Sequence, residues 1–261
     1  MRVIVKQFTV ALLFLVTACQ TSPTGRKQMA LVPQEQVDAM GIQAFEDMKA
    51  QQPINRDPAV NAYVKCVANA IIDTQGDNQN WEVVVFENEQ VNAFALPGGK
   101  IGVYTGLLKV AKTPSQLGAV LGHEVGHVNA HHGRERISTA LAAEGVLAIT
   151  SAILQDRRSK NYRLIMAALG LGAQIGVLLP FSRAQETEAD IIGLRLMAQA
   201  GFDPRESVEL WKNMSQAGGA EPPQILSTHP NHAARIRGLE QHMGEALAIY
   251  GKTSKRPNCR I

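Results

Sequence analysis

The chain is poor in cysteine and in aromatic residues: 261 positions hold three Cys, and Phe, Trp and Tyr together make up 5%. Cys19, Cys66 and Cys259 stand far apart, so they cannot supply the closely spaced thiolates of a Cys-rich zinc site. Net charge is scarce too. The formal +3 includes Arg2 and Lys6, which lie in a leader expected to be removed; without them 24 basic residues face 23 acidic ones. That balance leaves no basic field and argues against nucleic acid as a partner. Long apolar runs are missing as well. Residues 8–16 and Leu164–Leu179 both fall short of the roughly 20 residues that a spanning helix needs. A chain with 45% hydrophobic and 19% charged residues is nonetheless long enough to bury a full core.

Residues 1–18 carry two early positive charges, an apolar run from Phe8 to Val16, and then Thr17-Ala18-Cys19, the layout of a secretory signal. Val16-Thr17-Ala18-Cys19 resembles the lipobox of bacterial lipoproteins, in which cleavage precedes a cysteine that is then lipidated. An ordinary signal peptide with a nearby chance cysteine is the alternative. Gln20 stands where an inner-membrane retention signal would have Asp, so the expected address is the periplasmic face of the outer membrane. With Cys19 acylated, Cys66 and Cys259 remain as an even pair in an oxidising compartment and are expected to form a disulfide. Residues 19–33 are polar and read as a flexible tether, leaving 34–261 as one domain.

The stretch that organises this domain is Leu121-Gly122-His123-Glu124-Val125-Gly126-His127, a His-Glu-x-x-His pattern inside an apolar run. Thr113-Pro114-Ser115-Gln116 supplies an N-cap, a proline at the first helical position and a capping-box glutamine, so a helix is expected here. Positions four apart share a helix face, and His123 and His127 can therefore hold one zinc ion. Glu124 is then placed to take a proton from a water that the metal activates. A buried helix with two hydrogen-bonded histidines is the alternative. His131 and His132 follow at the helix end, but Ala130 and Gly133 do not fit the three-histidine pattern of metzincins. Both histidines are read as helix-end or surface residues, with Gly133 as the helix stop.

Two amphipathic helices, Gln34 to Ala50 and Pro58 to Thr74, are expected to pack on this core. Trp81–Phe86 reads as a strand, and Pro97-Gly98-Gly99 as the turn of a small antiparallel sheet. Its edge could receive an extended peptide as an added strand, or be a turn with no such role. Ala140 to Leu179 reads as two apolar helices joined by a charged turn, buried or lying on a membrane surface.

Catalytic zinc sites commonly use three protein ligands. Ser182 and Gln185 form a second capping box, and the helix they start puts Glu186 and Asp190 on one face at i and i+4. Glu186 is the candidate third ligand. Asp190 is the candidate acceptor for the outer N–H of a ligand histidine. A solvated acidic face, with Glu188 in it, is the competing reading.

His-Glu-x-x-His, followed by Ser182-Arg-x-x-Glu-x-x-Ala-Asp-x-x-Gly193, resembles the HtpX and CAAX-prenyl-protease family of gluzincin zinc metallopeptidases. Asn92-Ala-Phe-Ala-Leu-Pro-Gly-Gly, Gly201-Phe-Asp-Pro and Ser227-Thr-His-Pro-x-x-x-x-Arg235-Ile236 match the same family. The lipobox makes the LoiP-type and BepA-like outer-membrane lipoprotein proteases the nearest branch. The resemblance implies a mostly α, zincin-like domain with a small sheet. It implies one Zn2+ held by His123, His127 and Glu186, and Glu124 as the base of peptide-bond hydrolysis. Substrates in the similar lipoproteins are misfolded or misassembled outer-membrane proteins, and other envelope quality-control proteins are possible partners. A chaperone-like lipoprotein that holds unfolded strands with little proteolysis is the alternative. His229, fixed before Pro230 and after the Gly218–Pro223 stretch, is expected either to stabilise an oxyanion or to latch the zinc as a fourth ligand in a latent state. The latch is the expectation adopted for the resting enzyme.

Cys19→Ala is expected to release the protein from the membrane fraction while hydrolysis persists. Fractionation and immunoblotting read this, and continued tight membrane association would move the anchor to the apolar segment 140–179.

Overall fold

The computed structural model describes residues 19–76, 79–145, 160–171, 179–217, 224–230 and 232–260. The leader 1–18 and the 218–223 stretch read as a hinge lie outside the described residues, as does most of the apolar segment within 140–179.

The chain opens with a short hairpin, β1 (Cys19–Thr21) paired antiparallel with β2 (Lys27–Met29). Helices α1 (Gln34–Gln51) and α2 (Pro58–Ile72) follow. A three-stranded sheet comes next, formed by β3 (Glu82–Phe86), β4 (Ala93–Leu96) and β5 (Lys100–Tyr104). Helix α3 (Pro114–Asn129) carries the His-Glu-x-x-His pattern, and α4 (His132–Ala143) continues from it after a break. Then come α5 (Lys160–Met166), α6 (Arg183–Ala200), α7 (Glu206–Ala217), the short α8 (Gln224–Thr228) and α9 (His232–Lys252). The architecture is mostly helical with small sheets, as expected.

The β4–β5 hairpin is antiparallel, but β3 joins β5 in parallel and the strand order is β3-β5-β4. The departure from a fully antiparallel sheet arises because the chain lays β4 at the far edge first and returns through the centre. Alternation then sends side chains to two cores. Val85, Ala95, Ile101 and Val103 face a core shared with α2, α3, α6 and α7. Phe86, Phe94, Leu96 and Tyr104 face another with α1, α4 and α5. In the second core Phe45 meets Phe86 and Phe94 edge-on, with centroids 6.1 and 6.3 Å apart.

Residues 19–33 are a docked segment, not a free tether. Ser22, Gln28, Ala30 and Val32 are buried. Ser138 Oγ accepts the Leu31 amide, and Arg134 donates to the carbonyls of Ala30 and Val32. Polar composition reads as solvated linker only while its partners are unknown; here α4 supplies them.

Both predicted helix starts are present. Thr113 Oγ1 accepts the Gln116 amide at 3.1 Å, and Ser182 and Gln185 close a reciprocal capping box. The stop after α3 differs from expectation. His131 turns the chain with a left-handed φ of 53°, and Gly133 is already inside α4. The expected helix from Leu164 is also broken, at Gly170 with φ 90°. Among the described residues no helix is long and apolar enough to cross a membrane.

Cys66 on α2 and Cys259 in the C-terminal tail form a disulfide, with their Cα atoms 5.6 Å apart. The tail passes over Gly201, whose φ of +88° and contact with the Lys255 carbonyl leave no room for a side chain.

Helices α3 and α6 cross at backbone contact. A Cβ on Gly122 or Gly126 would come within 2.8 Å of the carbonyl oxygen of Gly193 or Ala189, and a Cβ on Gly193 within 2.7 Å of the His123 nitrogen. Gly193→Ala is therefore expected to cost about 1–3 kcal/mol through overpacking and to weaken metal binding. Gly238→Ala on α9, where a Cβ meets nothing within 4 Å, is the control and should be neutral or stabilising by about 0.4–1 kcal/mol. Urea denaturation of the two variants checks the contrast.

Candidate active site

At the α3–α6 crossing four buried side chains converge: His123, His127, Glu186 and His229, each offering a ligand atom within 4.8 Å of the others. His123 and His127 project from one face of α3, with their Nε2 atoms 3.0 Å apart. Glu186, in the first turn of α6, brings Oε1 to 3.5 Å from His127 Nε2 and Oε2 to 3.6 Å from His123 Nε2. His229, between α8 and α9, places Nδ1 2.9 Å from Glu186 Oε1 and 3.2 Å from His123 Nε2. Its Nε2 points towards Glu124 Oε1 at 3.6 Å. Phe181 roofs the group, stacked on His229 and with its centroid 4.0 Å from that of His127. Its amide donates to the Thr228 carbonyl, tying the start of α6 to the His229 segment.

The outward nitrogens decide what the inward ones can do. His123 Nδ1 lies 3.0 Å from Asp190 Oδ1, the position expected for that carboxylate. Donation to Asp190 fixes the proton on Nδ1 and leaves Nε2 as a lone pair. Arg235 Nη2 also approaches Nδ1 at 2.8 Å, but with Nδ1 protonated it bonds to Asp190 instead. His127 Nδ1 lies 2.8 Å from His132 Nδ1, and His132 Nε2 lies 3.2 Å from Glu188 Oε2. Running from His127 to the carboxylate, this chain leaves His127 Nε2 as a second lone pair. Two lone pairs then face one another at 3.0 Å beside a carboxylate, and a cation between them turns repulsion into ligation. Glu124 Oε1, buried without a hydrogen-bond partner among the described residues, faces the same space. Two imidazoles and a carboxylate are a donor set that zinc accepts, so the residues present fit the metal.

Charge follows the same logic. Burial opposes ionisation of Glu186, but His229 and Arg235 outweigh it and hold the carboxyl well below its ordinary range. Burial, and then the neighbouring His123, push His127 well below the usual imidazole value, which keeps it neutral and able to donate its lone pair. For His229 burial is overcome by Glu186 and Glu124, which raise it. Arg235 is itself buried, approaches Glu186 Oε2 at 2.8 Å and lies 3.9 Å over the Trp211 ring.

Every residue proposed for the site from sequence, His123, Glu124, His127, Glu186, Asp190 and His229, is drawn into this one cluster. Cys19 is exposed on β1, and Cys66 and Cys259 belong to the disulfide. Three residues were misread or passed over. His132 is fully buried, not a surface residue, because the left-handed turn at His131 swings α4 back across His127. Glu188 is buried behind His132 and not part of a solvated face. Arg235 was visible only as a letter of a motif, and its pairing with Asp190 crosses 45 residues. A histidine five positions after His127 and a carboxylate two after Glu186 were the available signals.

Residues 55–243 match the family model for peptidase family M48. A mitochondrial metalloendopeptidase OMA1 of Schizosaccharomyces pombe is 39% identical over 187 residues, covering 70% of this chain and 53% of that protein. The OMA1 of Arabidopsis thaliana is 42% identical over 173 residues, covering 66% of the chain and 34% of its own length. The beta-barrel assembly-enhancing protease of Yersinia pestis is 27% identical over 208 residues, covering 77% and 43%. The chain thus spans about half, or less, of the length of these relatives.

Proposed function

The chain belongs to peptidase family M48, and from that premise we propose that it is a zinc-dependent endopeptidase of the bacterial envelope. The observation that carries the reading is that His123 Nε2 and His127 Nε2 face each other at 3.0 Å, with Glu186 beside them and the Glu124 carboxylate alongside. When bound, zinc supplies Lewis acidity, lowering the pKa of a water and polarising a carbonyl. His123, His127 and Glu186 hold it, and Asp190 and His132 fix the two imidazoles in the ligating tautomer. Glu124 takes the proton of the attacking water and passes it to the nitrogen of the leaving amine as the C–N bond breaks. An intact Glu124 favours cleavage over passive holding of unfolded strands.

Within this reading we take the resting arrangement to be latent. What supports this is that His229 offers a nitrogen within 4.8 Å of the ligand atoms of His123, His127 and Glu186, where a fourth ligand would stand. Past the C-terminal end of α3 lies an open groove of about 500 Å³, lined in part by Gln34, Val128, Asn129 and His131. It runs past the β4–β5 turn at Gly98, so an unfolded chain laid along the outer edge of β4 would leave through it.

Relatives from mitochondria and from bacteria share the peptidase region, so that region is neutral on compartment. The N-terminal sequence favours the periplasmic face of the outer membrane, through a lipid on Cys19. Unfolded or misassembled outer-membrane proteins are then the substrates within reach of the tethered site, with other envelope quality-control proteins as possible partners.

Glu124→Gln is expected to keep zinc and fold but to lose about 10²–10⁴-fold in turnover of an unfolded protein substrate, because ligation is intact and only the base is gone. Wild-type turnover would remove the mechanism. His229→Ala is expected to raise turnover by opening the latched position. A fall of about 10²-fold or more would assign His229 to the oxyanion instead.

A further inference from the structure

The chain of contacts behind His127 does not end at Glu188. Glu188 Oε1 accepts the Thr24 hydroxyl at 2.6 Å, and Oε2 accepts Arg26 Nε at 2.8 Å. Both partners sit in the β1–β2 turn region, outside the 55–243 stretch that matches the peptidase family. Arg26 is held in turn by its two terminal nitrogens, which donate to the two oxygens of Glu135 on α4 at 2.6 and 2.7 Å. Gln185 Nε2 donates to the same Glu135 Oε2 at 2.7 Å, so the clamp joins the hairpin, α4 and the first turn of α6.

The direction of the protons in this chain is not set by His127 and His132 alone. Two imidazoles facing through Nδ1 can share their proton either way. If His127 donates, its Nε2 is a lone pair and can ligate. If His132 donates, His127 carries its proton on Nε2, pointed into the site, and cannot. A carboxylate accepts only, so an ionised Glu188 forces His132 to donate from Nε2 and therefore to accept at Nδ1. Arg26 is the one cation hydrogen-bonded to Glu188 among the described residues. With its fork locked on Glu135, Nε is presented to Glu188 in a fixed direction.

We propose that Arg26 of the N-terminal hairpin is a positioning residue of the metal site, acting through Glu188 and His132 to hold His127 in the ligating tautomer. The inference rests on the metal-site reading above, but the tautomer exists without metal and is measured separately. The hairpin is thereby a working part of the peptidase centre, and detaching it would loosen a ligand that lies on another element.

The test uses the full chain with nitrogen-15-labelled histidine and no metal, with cobalt(II) binding measured in parallel. In the parent, His127 should carry its proton on Nδ1 and His132 on Nε2. Arg26→Gln should give a mixture of tautomers at both rings and weaken cobalt(II) by about 10-fold or more. Glu188→Gln, whose amide can donate as well as accept, should do the same, and adding Arg26→Gln to it should weaken binding no further. Arg26→Lys, which keeps the charge but not the fork, should fall between parent and Arg26→Gln, and it decides the matter if Arg26→Gln does not fold. Parent-like tautomers and an affinity within about twofold in these Arg26 variants would overturn the proposal, as would an effect that adds in full to that of Glu188→Gln. A parent chain that binds no cobalt(II) would instead defeat the metal reading, and the tautomers would still report on Arg26.

Discussion

The close crossing of α3 and α6 is the constraint on which the rest of the structure depends. Three glycines and Ala189 let the two backbones touch, so that Gly193 rests on the amide of His123. Ordinary helix pairs stand 8–10 Å apart, with side chains between them. Each ligand histidine of α3 is preceded by a glycine, Gly122 before His123 and Gly126 before His127. One helix thus presents ligands and backbone contact within the same two turns.

Bringing those ligands together puts an unusual number of ionisable groups out of water. Glu124, Glu186, Asp190, His229 and Arg235 are all buried within one small volume. Buried ions are costly unless each is paired, and removing one partner of such a pair typically costs about 3–5 kcal/mol. Arg235 meets that demand by bridging Asp190 and Glu186 while its flat face packs on Trp211. The guanidinium is suited to the position because it stays charged and can address two carboxylates at once. The same group orders the partner of His123, as Glu188 orders the partner of His127. Each ligand histidine has its own carboxylate, one reached directly and one through a second imidazole.

The cover over the histidines follows from how α6 begins. Phe181, one residue before the Ser182 cap, lies over the rings of His127 and His229 and hydrogen-bonds to the strap that carries His229. Arg136 stacks on the far side of Phe181, and burial lowers its pKa to about 10. Phe181 and His229 are therefore one packed unit. His123 and His127 sit on α3 and Glu186 on α6, both packed into the core.

The sequence alone determined what depends on short-range geometry. His123 and His127 share a face because a helix repeats every 3.6 residues, and the caps at Thr113 and Ser182 mark the starts of α3 and α6 through local hydrogen bonds. Glu186 and Asp190 share a face by the same periodicity, Glu124 comes from its place in the His-Glu-x-x-His motif, and Cys66 and Cys259 from the count of cysteines left over. What only the tertiary structure decided depends on which surfaces meet. Nothing local distinguishes Glu188 from a solvated glutamate, or residues 19–33 from a polar linker; burial against α4 makes the difference. His132 became a partner of His127 through one left-handed residue, His131, whose type does not announce that conformation. Arg235 pairs with Asp190 and Glu186 only because α9 folds back onto α6. Hydrogen bonds between distant segments are chosen by packing, and packing is a property of the whole chain.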